Sequence, residues 1–310
     1  MTGRDHDHSH RHDHHGHVGA SIGRAFVLGI ALNLGFVVVE VVCGLLAQSM
    51  ALVADAGHNL GDVLGLGLSW GATALARLKP SSRRTFGFRR STIVASAANA
   101  LILLFVTGGL TWESIRRLFE PERPHGLTMI VVALAGAAVN GVSALLFLRG
   151  REEDLNLRSA FVHLASDAAL AVGVAIAGGV ILLTGWLWVD PVVSIVLALT
   201  ILGGTWSLMS KSLNLILDAV PERIDPEAVR TFLGGLPEVV EVHDLHIWAM
   251  STTETALTAH LVMPGATCGP TFLSDACREL HDRFGIAHST LQIDPQEAPS
   301  RCSLASDDVV

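Results

Sequence analysis

Residues 50–76 read MALVADAGHNLGDVLGLGLSWGATALA. The run has the length and apolar character of a membrane span, which needs about 20 residues to cross a hydrocarbon layer of roughly 30 Å. Yet it holds HNLGD at 58–62. His58 and Asp62 are four residues apart, so on a helix they share one face, about a turn from each other. A second apolar run repeats the pattern as HLASD at 163–167. An ionisable side chain near the centre of a bilayer costs at least ~2.5 kcal/mol on insertion scales. His58, Asp62, His163 and Asp167 therefore need a reason to be where they are.

Composition agrees with a membrane setting. Of 310 residues, 50% are hydrophobic and 16% charged, and the mean hydropathy is +0.48. A soluble domain carries roughly a quarter charged residues. The net charge of −8 is unevenly placed: acidic residues collect after residue 215, and Arg sits at the loop ends of the apolar part. That pattern argues against a nucleic-acid partner. Cys43, Cys268, Cys277 and Cys302 form no CxxC pair, so neither a thiolate zinc site nor a disulfide framework is indicated.

Six apolar runs are expected to span, at 25–46, 50–76, 91–117, 126–148, 158–184 and 188–209. The first continues too long for a cleavable signal and is read as a retained span. The loop at 77–90 holds Arg77, Lys79, Arg83, Arg84, Arg89 and Arg90, and the loop near 149–158 holds Arg149, Arg151 and Arg158. Positive loops mark the cytoplasm, which places both chain termini there too. The opposite side mixes Arg116, Arg117 and Arg123 with Glu113, Glu120 and Glu122 and is outvoted.

From about residue 211 the texture changes. A helix is expected after Asp225, with Pro226 at its first position. VVEVHDLHIWAM and ETALTAHLVM read as strands, TFLSDACRELHDRF as a helix and HSTLQID as a last strand. The expected fold class is a membrane α-helical bundle of six transmembrane helices with a C-terminal cytoplasmic α+β ferredoxin-like domain. The divisions are a His-rich tail at 1–24, the membrane domain at 25–209, the cytoplasmic domain at 210–296 and a loose tail at 297–310.

Two spans carrying one His-x-x-x-Asp each can bring two imidazoles and two carboxylates together, a tetrahedral nitrogen and oxygen set suited to Zn²⁺. Helix-to-helix hydrogen bonds or a water-lined cavity are the alternatives. An intramembrane metalloprotease is disfavoured because the chain has no HExxH, and no nucleophile or phosphate loop suggests an enzyme. A metal site at membrane depth reads as a transport site. Metal needs neutral His and ionised Asp, so protons and metal compete for it, and imidazole titrates near neutral pH. A membrane-embedded metal sensor that does not transport is the rival. A channel is a second rival, but conduction needs weak or multiple sites.

These residues resemble the cation diffusion facilitators. The resemblance rests on HNLGD within SMALVADAGHNLGDVLGLGLS (49–69), RRTFGFRR (83–90), HLASD within LNLRSAFVHLASDA (155–168), HDLHIW (243–248) and FGIAHSTLQID (284–294). It covers about residues 20–295 and is similar to the cobalt–zinc–cadmium resistance type and to vertebrate vesicular zinc transporters. It implies a homodimer in a lipid membrane, of bacterial inner-membrane type, exporting Zn²⁺ or Co²⁺ from the cytoplasm in exchange for protons by alternating access. The transport site would be His58, Asp62, His163 and Asp167, with His58 favouring Zn²⁺ over Cd²⁺. By motif, His246, His260, His288 and Asp294 match the ligands of a regulatory zinc site in the cytoplasmic domain, and His243 joins them in some branches. The resemblance also pairs Arg90 with Asp218. Two departures stand out. The loop between the fourth and fifth spans is short and lacks His, and the loop at 77–90 has no His, Asp or Glu. The His-rich tract instead lies at the N-terminus, where His6, His8, His10, His12, His14, His15 and His17 are expected to collect Zn²⁺ near the cytoplasmic entrance or to complete the regulatory site of the neighbouring protomer.

Overall fold

The computed structural model describes residues 34–148, 155–264 and 271–295. The N-terminal histidines lie outside the described residues. Eight helices and three strands are described: α1 (Leu34–Leu46), α2 (Met50–Ala76), α3 (Ser91–Phe119), α4 (Gly126–Phe147), α5 (Leu155–Thr184), α6 (Val189–Ile216), α7 (Pro226–Gly234), β1 (Glu241–Ala249), β2 (Thr255–Met263), α8 (Phe272–Phe284) and β3 (Ile286–Pro295).

Four of these, α3 to α6, contain stretches long and apolar enough to cross a membrane. The described part of α1, Leu34–Leu46, is apolar but shorter than a span. The 27-residue α2 is long enough, but its hydropathy is diluted by Asp55, His58, Asn59 and Asp62. Large apolar side chains such as Phe105, Trp112, Leu183 and Leu199 point outward, as lipid-facing residues do and as those of a water-soluble surface do not.

The chain divides into two compact units. The first comprises residues 1–63 and 110–197. Its core is made of small and aliphatic residues, among them Ala51, Leu52, Ala54, Met129, Ala133, Val174, Ala177 and Ile181. Small residues let helices approach where lipid gives no hydrophobic drive to associate. The approach is tightest between α4 and α5: a Cβ on Gly178 would meet the Gly126 carbonyl at 2.8 Å and Met129 Cβ at 2.9 Å. The turn between α1 and α2 is held from two sides. Arg117 donates to the Gln48 carbonyl at 2.8 Å, and the His125 amide donates to that of Ala47 at 2.9 Å. The start of α2 is capped from a distant part of the chain. Asp190, fully buried at the start of α6, accepts from Ser49 Oγ at 2.5 Å, the Met50 amide at 2.7 Å and the Ala51 amide at 3.2 Å. These are among the amides a helix N-terminus leaves unbonded.

The second unit comprises residues 64–109 and 198–310. It includes a three-stranded sheet in the order β1-β2-β3, with β1 antiparallel and β2 parallel to its neighbour β3. The parallel pair requires a crossover, which α8 supplies. Asp225 caps α7 by accepting from the Glu227 and Ala228 amides, with Pro226 at the first turn. Gly285 ends α8 in the left-handed region at φ +67, as a helix C-terminus often requires. Val229, Leu233 and Leu280 of the two helices bury against Ile247, Leu257, Ala259 and Leu261 of the sheet. The other sheet face carries His243, His246, Thr258, His260, Gln292 and Asp294 beside Trp248, Ala256 and Val262. The expected Arg90–Asp218 ion pair forms. A neighbouring pair joins Arg89 to Glu254, and the Thr252 amide donates to Thr92 Oγ1 at 3.1 Å. The last two tie the start of α3 to the β1–β2 turn, and the first ties it to the segment that follows α6.

Candidate metal centres

The two His-x-x-x-Asp motifs meet. His58 and Asp62 come from α2, His163 and Asp167 from α5. His58 Nε2 lies 3.2 Å from Asp167 Oδ1 and 3.9 Å from Asp62 Oδ2. His163 Nε2 lies 3.2 Å from Asp62 Oδ2 and 3.6 Å from Asp167 Oδ2. Each imidazole therefore sits between both carboxylates, and the two rings are edge-on with centroids 6.2 Å apart. The site is graded in exposure. Asp167 is 6% exposed, His58 20%, Asp62 37% and His163 49%. His58, Asp62 and Asp167 place one donor atom each within 4.8 Å of one another and could hold a divalent cation, with His163 at their more exposed side and outside that group of three.

Two acidic residues beside it were not singled out from sequence. Asp55, His58, Asn59 and Asp62 fall at i, i+3, i+4 and i+7 of α2, one continuous face. Asn59 Nδ2 donates to Glu40 Oε2 of α1 at 3.1 Å. Asp55, also buried, lies on this face one turn before Asn59. The helical spacing from His58 was the signal for Asp55. For Glu40 the signal was a lone acid in the apolar run VVVEVV.

A second cluster forms on the outer face of the sheet. His243 pairs with His260, but His246 pairs with Thr258, so β1 carries one extra residue between them. This bulge has Asp244 in the left-handed region at φ 50. Directly paired residues point to the same face, and a bulge shifts the alternation by one. His243 and His246, an odd number apart, thereby share a face. In β3, His288 pairs with Ala256 and Asp294 with Val262, again on that face.

The five expected ligands are not equivalent. His243, His260 and Asp294 place one donor atom each within 4.8 Å of one another. His260 Nδ1 is 3.0 Å, and His243 Nε2 3.4 Å, from Asp294 Oδ2. His243 is buried and neither of its ring nitrogens makes a hydrogen bond among the described residues. A buried polar atom normally finds a partner, and a metal ion held with His260 and Asp294 is one that could serve. Burial pushes the Asp294 carboxyl up. The hydrogen bonds from Gln292 and His260, with the nearby imidazoles, outweigh this and hold it below the usual carboxylate range, ready to ligate. His246 turns instead to Asp244, at 2.8 Å, whose other oxygen is 3.4 Å from His260 Nε2. His288 is exposed and packs edge-on against Phe86, with centroids 5.7 Å apart. It does not join the cluster.

Comparison with known proteins agrees with this architecture. Residues 26–217 match the cation efflux transmembrane domain, and residues 221–296 match the cytoplasmic domain of cation efflux proteins. The chain therefore belongs to the cation efflux family, the cation diffusion facilitators, and is an integral membrane protein. It is similar to the metal cation efflux system protein CzcD of Cupriavidus metallidurans, with 36% identity over 283 residues, 90% of this chain and 89% of that one. The zinc transporter ZitB of Escherichia coli is 35% identical over 275 residues, 88% of each chain. A cadmium, cobalt and zinc/H(+)-K(+) antiporter of Bacillus velezensis is 30% identical over 285 residues, 90% of this chain and 91% of that one.

Proposed function

We propose that this chain exports Zn²⁺, and Co²⁺ as a second cargo, from the cytoplasm in exchange for protons. His58, Asp62, His163 and Asp167 form the transport site. The observation that carries the reading is their geometry: both imidazoles lie within 4.0 Å of both carboxylates on otherwise apolar helices. Two Asp charges neutralise a divalent ion, and the nitrogen and oxygen donors suit Zn²⁺. The same atoms bind protons when metal leaves, so one site serves both cargoes in alternation.

The remaining features follow the same reading. The membrane part has six spans, with α1 and α2 completing the four strongly apolar helices, and both termini in the cytoplasm. The α7-β1-β2-α8-β3 order supports a ferredoxin-like cytoplasmic domain at 210–296. The match to the cytoplasmic domain of cation efflux proteins supports a homodimer, and the bacterial relatives support an inner-membrane location. The unpartnered His243 fits a resident regulatory zinc held with His260 and Asp294. The N-terminal histidines gather Zn²⁺ for the site.

The test is Zn²⁺ flux into proteoliposomes with and without an imposed pH gradient, beside Asp167→Ala. Gradient-stimulated uptake that the variant loses is expected. Uptake indifferent to both would make the two motifs structural. Zn²⁺ binding without any flux would make the protein a sensor.

A further inference from the structure

The loop at 77–90 carries six cations and no acid, and the transport site makes no use of that charge. Arg89 and Arg90 are engaged by Glu254 and Asp218. Arg77, Lys79, Arg83 and Arg84 are exposed, and none pairs with a carboxylate among the described residues. At the other end of α3 the pattern is reversed. Arg116 meets Glu113 and Glu120, and Arg117 meets Glu113 and Glu122. Membrane topology is set by the positive residues, and Asp and Glu count for little in it. Topology therefore explains the cations of this loop but not the exclusion of every acid from it.

The loop is also folded. Ser81 and Arg84 exchange two backbone hydrogen bonds of 3.0 Å. Gly87 stands in the left-handed region at φ +68, and a Cβ there would meet the Leu78 carbonyl at 3.3 Å. Its amide donates to the Arg84 carbonyl at 2.9 Å, so the chain doubles back on Leu78. The Arg84 guanidinium lies over the Phe88 ring, 4.4 Å from its centroid. Phe86, edge-on to His288 of β3, is still 48% exposed, and Leu78 is 52% exposed. Cations held in a folded loop lose little freedom when they bind an anion.

Arg77 directly follows the last residue of α2, and Arg90 directly precedes the first of α3. On the six-span reading, the loop stands where two spans leave the bilayer. Groups of four to eight Lys and Arg at that level attract anionic headgroups. We propose that residues 77–88 form a docking surface for anionic lipid. Arg77, Lys79, Arg83 and Arg84 meet the headgroup phosphates, and the exposed faces of Leu78 and Phe86 meet the acyl boundary. The inference rests on the reading above that this loop is cytoplasmic, the side whose leaflet is anionic. A free phosphate is the competing occupant. The apolar side chains among the cations and the position at two span ends favour lipid. Bound lipid would brace the same loop whose Arg89 and Arg90 hold the start of α3 to the β1–β2 turn and to the segment after α6.

The experiment uses the full chain in uncharged detergent, titrated with phosphatidylglycerol, phosphatidylcholine or inorganic phosphate. The readouts are lipid bound per chain by native mass spectrometry and the thermal unfolding midpoint. Phosphatidylglycerol is expected to bind and raise the midpoint, the other two are not, and salt near ~1 M should cancel the rise. Each neutralised cation should weaken binding about fivefold, the equivalent of ~1 kcal/mol. The double variant Arg83→Gln with Arg84→Gln should therefore lose about 25-fold. Arg77→Gln with Lys79→Gln carries the same expectation should the first pair disturb folding. Arg116→Gln, whose charge is already met by glutamates, should bind lipid like wild type. Equal response to phosphatidylcholine, or undiminished binding in both loop variants, overturns the proposal and leaves the charges as topology anchors. Inorganic phosphate acting as well as phosphatidylglycerol overturns it in favour of a soluble-anion site. Thiol labelling of Ser82→Cys from either side of sealed vesicles tests the cytoplasmic reading separately. Labelling from the far side alone would overturn that reading and leave the lipid binding measured in detergent standing.

Discussion

Replacing Asp190 by alanine should unfasten the start of α2. The carboxylate accepts three hydrogen bonds, two from the Met50 and Ala51 amides and one from Ser49 Oγ. All three donors are buried. A buried donor left without an acceptor costs about 1–3 kcal/mol, and the two amides cannot turn to find another. They alone account for ~2–6 kcal/mol by that figure. A negative charge at a helix N-terminus adds about 0.3–1 kcal/mol. Relief of the buried charge offsets part of the total, so the expected loss is about 3 kcal/mol. Ser49→Ala removes one bond to Asp190 and the hydroxyl that accepts from the Leu52 amide at 3.2 Å. Loss of a cap of that kind costs ~1 kcal/mol. The assay is the thermal unfolding midpoint of purified chain in detergent, compared across Asp190→Ala, Asp190→Asn and Ser49→Ala. The order of damage should be Asp190→Ala, then Asp190→Asn, which keeps one acceptor oxygen, then Ser49→Ala. Equal loss from Ser49→Ala and Asp190→Ala would refute the argument that the amides carry the energy. An unchanged midpoint in Asp190→Ala would refute the clamp itself.

Gly178→Leu should force α4 from α5, since a Cβ already meets the Gly126 carbonyl at 2.8 Å. Overpacking of this kind costs at least about 1–3 kcal/mol. Gly173→Ala, whose Cβ meets nothing within 4 Å, should melt like wild type, and matched losses in the two would exclude close approach as the cause. His243→Ala should lower by one the Zn²⁺ bound per chain in equilibrium dialysis, while His288→Ala should keep it. The reverse pattern would move the regulatory site. Arg90 and Asp218 are 53% and 51% exposed, so a double-mutant cycle on unfolding should find a coupling of only ~0.2–1 kcal/mol, smaller still in high salt. Coupling well above that range would mean the pair is shielded from solvent.

Much of this protein is readable from local pattern. The apolar runs mark α2 to α5 to within a few residues, because length and hydropathy are properties of a segment alone, whereas the run ending at 209 stops well short of Ile216, where α6 ends. His58 with Asp62, and His163 with Asp167, are visible as pairs because i,i+4 spacing is decided by one helix. Asp225 and Pro226 announce α7 for the same reason. The strands carrying His243, His260 and Asp294 are likewise visible in β-branched alternation.

What joins distant segments is not in any window of sequence. Which face of α2 turns toward α5 is set by neither segment alone, and that orientation brings the two His-x-x-x-Asp pairs within reach of each other. Asp190 finds Ser49 across 141 positions, and Glu40 finds Asn59 across an interhelical contact. Neither partner has a spacing that could reveal the other. The bulge at Asp244 is the sharpest instance: strict alternation would send His243 and His246 to opposite faces, and one extra residue puts them on the same one. The sequence by itself determines which chemical groups the chain brings into the membrane and onto the sheet, because periodicity is local. Only the tertiary structure decides which of them touch, because contact depends on packing between segments that the chain keeps far apart.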